Sequence, residues 1–223
     1  MKMNVMNHFL NTVWLLFVLN VCLIVTNPLI VTAFFITGSL KLVCLGIGGL
    51  LVAPSLNASL FMLNNPVEEK ILGTFFSRYG RDFKEAFILG VPNSVCLIVL
   101  MVDLFGLTLV PKFQSMSPFF LILLVLGVLF YFYQMLFFAN FDVTVKASFK
   151  FALHLFLNKM AINGGVIVVQ FMAVFIAQRY MNYFVLIGFS GTLFLMNLMV
   201  KGVITNMKQT VNLHEGGMTF EHF

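Results

Sequence analysis

What this sequence has least of is charge: Asp, Glu, Lys and Arg together make up 9% of its 223 residues, against about a quarter in a soluble globular domain. With 61% hydrophobic residues and 28 Phe, that shortage excludes an ordinary water-soluble fold and calls for a bilayer. Cysteine is scarce as well. Cys22, Cys44 and Cys96 each lie inside an apolar run without CxxC or Cys/His spacing, so they read as small packing residues rather than a disulfide framework or a thiolate metal site. Neither GxxxxGK[ST], HExxH nor a metal-spaced histidine cluster occurs, and no cofactor is expected. The 13 basic residues fall singly or in small groups between apolar runs, which argues against a nucleic-acid surface.

What is present is a series of long apolar runs, at about 9–36, 40–63, 86–110, 118–141, 160–178 and 181–204, punctuated by Thr37-Gly38, Asn64-Asn65-Pro66, Pro111-Lys112, Ser117-Pro118 and Arg179-Tyr180. They lack period-two alternation, so their backbone groups must be satisfied within helices rather than in a barrel. The expectation is an all-α polytopic membrane bundle of about six transmembrane helices, one domain over 1–208 with a short cytoplasmic tail at 209–223. The short fifth run leaves four or five spans open. The first run is longer than a signal-peptide core and has no A-x-A site, so it reads as a retained helix.

Orientation follows from where the basic residues lie. Lys41, Lys112 and Arg179 fall on one side and the other ten on the opposite side, which predicts a multi-pass protein of the cell membrane with both termini in the cytoplasm. Within the densest charged stretch, Leu72, Phe76, Tyr79 and Phe83 share one helical face. This predicts an amphipathic elbow lying on the cytoplasmic leaflet, with Arg78, Arg81 and Lys84 reaching lipid phosphates or a partner. A second elbow is expected after the fourth span, with Val145, Phe149, Ala152 and Phe156 on one face and Lys146 and Lys150 offered outward. The segments Phe83–Phe87 and Phe149–Leu153 resemble each other, which raises a duplicated helix pair as one reading and chance as the other.

Polar residues inside the runs define a candidate intramembrane site: Asp103, Asn57, Gln134, Asn140, Gln170 and Asn197, with Asn20 and Asn27 of the same kind. An amide in lipid has to point inward, and the main expectation is interhelical hydrogen bonding rather than a pathway. Asp103 is expected to be paired or neutralised, with Lys112 or Arg179 within reach. Gly188, Ser190 and Gly191 form a GxSG pattern reminiscent of intramembrane serine proteases, but no later span supplies a histidine base; His154 lies in an elbow and His214 and His222 in the tail. Close helix packing is the preferred role for these three small residues.

Several passages together resemble the YesL-like family of bacterial integral membrane proteins, a domain family of unassigned biochemical function. They are Trp14-Leu15-Leu16, Ala53 through Leu60, Phe75-Phe76 through Phe83-Lys84-Glu85-Ala86, and Leu153 through Lys159. Val52 stands where that family usually has Gly, and Ser59 where it usually has Ala. The resemblance implies a place beside sugar ABC importers or cell-envelope glycan machinery. The chain lacks the EAA-type coupling loop of importer permeases, so an accessory, non-enzymatic component is expected, with the lipid bilayer and sugar ABC transporter subunits or envelope-biosynthesis proteins as partners. A small transporter is the alternative, and an intramembrane hydrolase the third reading.

Overall fold

The computed structural model describes residues 2–36, 38–65, 70–109, 111–141, 143–180 and 184–213. Helices account for nearly all of them: α1 (Lys2–Thr26), α2 (Pro28–Phe35), α3 (Ser39–Asn64), α4 (Ile71–Arg81), α5 (Phe83–Leu109), a 3₁₀ turn at Pro111–Met116, α6 (Ser117–Asn140), α7 (Val145–Asn158), α8 (Met160–Arg179), a π turn at Phe184–Gly188 and α9 (Phe189–Leu213). No strand occurs among the described residues. The chain is an all-α helical bundle.

Among the described residues five helices are long and apolar enough to cross a membrane: α1 over Phe9–Thr26, α3 over Leu40–Asn64, α5 over Phe83–Leu107, the turn and α6 over Gln114–Asn140, and α8. The expected sixth span is not among them. The run at 181–204 lies partly outside the described residues, its apolar lead-in is wound as the π turn, and Asn197, Lys201 and Lys208 dilute α9 itself. The first run is also divided. Asn27 (φ −129°, ψ 53°) precedes Pro28, and a residue before proline is pushed out of the helical region, so α1 stops there and α2 begins. α9 continues to Leu213; His214 and His222 lie outside the described residues.

The inner half of α6 is the centre of the bundle. Leu129 and every residue from Tyr131 to Ala139 are buried, as expected of a helix that is apolar on all sides and surrounded by others. Around it pack α3, α5, α7 and α8. A second cluster joins Val18, Leu19 and Cys22 of α1 to Ala58 and Met62 of α3 and to Phe75 of α4. Where helices come closest, small residues face each other. A Cβ on Gly90 of α5 would lie 2.2 Å from that of Ala53 in α3, and one on Gly127 of α6 would lie 2.9 Å from Leu97 of α5. Without side chains there, the backbones approach closely enough for dispersion to hold them in lipid.

Both elbows are present as helices. In α4 the sequence's apolar face is outward, with Leu72 and Phe76 exposed, while Phe75 is the fully buried anchor. In α7 Val145 and Phe149 are exposed, Ala152 is buried and Phe156 is half-buried. Each elbow meets its span at one bent residue, Asp82 before α5 and Lys159 before α8. The two similar segments do not correspond across these joints. Phe83–Phe87 opens the span α5, whereas Phe149–Leu153 lies inside the elbow α7.

Candidate functional site

The charged focus of the molecule is the joint between α4 and α5. Hydrogen bonds run through it, from the Asp82 N–H to the Arg78 carbonyl at 3.1 Å and from the Ala86 N–H to the Asp82 carbonyl at 2.9 Å, so the chain bends without losing its ladder. The Asp82 carboxylate forms an ion pair with Arg78, whose Nε lies 2.5 Å from Oδ2, and accepts hydrogen bonds from Arg81 Nε at 2.9 Å on Oδ1 and from Asn57 Nδ2 of α3 at 3.2 Å on Oδ2. The Arg78 guanidinium also lies 4.2 Å from the ring centre of Phe61, a cation–π contact.

Exposure separates the basic residues that were expected to reach headgroups. The Arg78 side chain is 10% exposed and that of Asp82 14%, whereas Arg81 is 61% exposed. Arg78 is therefore an inward ion-pair member, drawn in by a carboxylate one helical turn on. Arg81, Lys84, Lys146 and Lys150 remain at the surface. Between the two elbows runs a groove of about 490 Å³, with Arg78, Asp82 and Glu85 on one wall and Phe138, Thr144 and Val145 on the other. Thr144 caps α7 by accepting the Ala147 N–H at 3.4 Å. On α4, beside the cluster around Phe75, burial raises the pKa of the Tyr79 hydroxyl above its ordinary value.

Deeper in the bundle the amides are spent on one another. Asn64 and Asn197 exchange two bonds between α3 and α9, at 2.9 Å and 3.3 Å. Asn93 of α5 donates to Gln134 of α6, and the Tyr133 hydroxyl of α6 donates to Asn163 of α8 at 2.7 Å. Asn20 accepts the Ser190 N–H at 3.2 Å, and the Ser94 hydroxyl donates to the Gly49 carbonyl at 2.7 Å. The expected site residues are thus distributed rather than gathered. Asn57 joins Asp82, Gln134 joins Asn93, Asn197 joins Asn64. Asn140 turns back to the Leu136 carbonyl at 2.8 Å, and the Gln170 Nε2 is buried without a partner among the described residues. The Asn57-Ala58-Ser59 sequon is fully buried.

Asp103 is exposed on α5. Arg179 is exposed as well, and the Lys112 side chain lies outside the described residues. The small residues at 188–191 sit in different surroundings. Nothing lies within 4 Å of a Cβ on Gly191, while one on Gly188 would strike Phe184, its own neighbour in the π turn, at 2.3 Å. Gly188 therefore serves the local turn. Ser190 is buried, and its hydroxyl donates to the Ile187 carbonyl at 3.2 Å. His154 is exposed on α7, its ring nitrogen 3.1 Å from the Asn158 amide.

Sequence reasoning missed Asp82 as the organising group, although its i,i+4 spacing from Arg78 was a usable signal. It also missed Asn64, Asn93 and Asn163, because which amides meet across helices depends on the packing. Set against protein-family models, curated proteins and solved structures, the chain matches none of them.

Proposed function

We propose that this multi-pass membrane protein is a non-enzymatic accessory component of carbohydrate uptake of the ABC type or of cell-envelope glycan machinery, held in the cell membrane with both termini cytoplasmic. The observation that carries the reading is the division of polar groups: Asn64 with Asn197, Asn93 with Gln134 and Tyr133 with Asn163 are bonded helix to helix, while Arg81, Lys84, Lys146 and Lys150 stand exposed around the elbow groove. An interior spent on packing supports a scaffold, and a charged rim supports docking of another protein. The resemblance to the YesL-like family supports the sugar or envelope setting.

Affinity purification of the tagged full-length protein in mild detergent, followed by mass spectrometry, tests the role. An ABC permease, its ATPase or an envelope polymerase should copurify, and reversing Lys84, Lys146 and Lys150 to Glu should reduce recovery by about tenfold. Recovery of the protein alone from the wild-type cells would transfer the reading to a small transporter. Orientation has its own measurement. Reporter fusions after Lys112 should read as external and fusions after Lys150 as cytoplasmic; the reverse at either point overturns the assignment from basic residues.

A further inference from the structure

The break between α1 and α2 opens a half-open cavity of about 210 Å³ against α3 and the head of α9. Its walls include Leu23, Ile30, Val52, Leu56, Phe189 and Leu193, and among the described residues its polar lining is Asn27 and Thr192. Thr192 is occupied, its hydroxyl donating to the Gly188 carbonyl at 2.7 Å. Asn27 is half occupied. Its Nδ2 donates to the Leu23 carbonyl at 2.9 Å and to the Ser55 hydroxyl at 2.8 Å, while its Oδ1 is buried with no partner and the residue is 6% exposed.

The amide cannot be turned to relieve this. Reversing it would set Oδ1 against the Leu23 carbonyl, acceptor against acceptor, so the existing bonds fix its orientation. An unmet buried acceptor costs about 1–3 kcal/mol, and in the bilayer no bulk water is at hand. An ordered water needs two to four polar partners, more than this wall has free. The cavity is also about seven times the ~30 Å³ share of one liquid water.

We propose that this cavity binds a lipid with a long apolar chain and one neutral hydroxyl, whose O–H donates to Asn27 Oδ1 while the chain lies along Leu56 and Leu193. The charge of the lining selects this class. Among the described residues neither a basic side chain to meet a phosphate or carboxylate nor an acidic one to meet an amine lines the cavity, and burying either head unpaired is prohibitive. A hydroxyl supplies the one donor that Asn27 lacks. The site is independent of the elbow groove and of the carbohydrate reading.

The test uses the full-length protein in phosphatidylcholine nanodiscs, labelled with a long-chain alcohol carrying a diazirine and an alkyne, or with its methyl ether. The alcohol should label the peptides containing Leu56 and Leu193 about tenfold more than the ether, the ratio that one net hydrogen bond gives. Val31→Trp or Leu193→Phe, each checked for a monodisperse elution profile, should remove that labelling. Val168→Phe, on the exposed face of α8, should leave it unchanged. Equal labelling by alcohol and ether in the wild type overturns the role of Asn27. Labelling spread over α8, or undiminished in a monodisperse cavity-filling variant, overturns the site.

Discussion

Replacing Asp82 by Ala should destabilise the protein by about 3–5 kcal/mol, because it takes a carboxylate away from the largely buried Arg78 guanidinium. The Arg78 side chain is 10% exposed and pressed over Phe61, so it has little freedom to swing into water. Removing both partners is a different operation. Arg78→Met with Asp82→Leu should regain most of the loss and come within about 1 kcal/mol of the parent, since a buried pair recovers little more than its own desolvation cost. Arg81→Gln should change stability by less than about 1 kcal/mol, being an exposed pair. Unfolding of the purified variants in detergent is the measurement. Equal stabilities for the Asp82→Ala and double variants would remove the ion pair as the organiser of the joint.

The second large effect is expected where α3 and α5 touch. Gly90→Ala places a methyl group 2.2 Å from the Ala53 Cβ and 3.0 Å from the Tyr131 hydroxyl oxygen, so the helices must part, at a cost of about 1–3 kcal/mol. Gly90→Leu should yield no folded protein. Adding Ala53→Gly to Gly90→Ala should restore much of the loss by making room from the other side. Gly191→Ala provides the contrast: with open space around it, the change should be neutral or stabilise by up to about 1 kcal/mol through helix propensity. Thermal unfolding of the four variants orders them, and a Gly90→Ala as stable as Gly191→Ala would contradict the close crossing.

These two sites also mark how far a sequence of this kind can be read. The long runs announce helices because lipid gives the backbone no other partner, and the elbow α4 is legible because water and lipid lie on its two sides. Within the spans that contrast disappears. The surroundings of α5 are as apolar as its core face, so periodicity cannot tell Gly90, which meets Ala53, from Gly106, which meets nothing. The same loss of contrast hides that Arg78 turns inward while Arg81 does not. Gln134 and Asn197 are buried, the one tolerable direction for an amide in lipid.

The bonds that close the bundle have a bearing on time. Asn20 waits for Ser190, Asn64 for Asn197 and Asn65 for Lys208, separations of 170, 133 and 143 residues. At a synthesis rate of about 5–20 residues per second, roughly 7–34 s pass between making one partner and making the other. For that interval α1 and α3 reside in the bilayer without their bonds to α9. The growing chain therefore presents the insertion machinery with an incomplete bundle until α9 has been made.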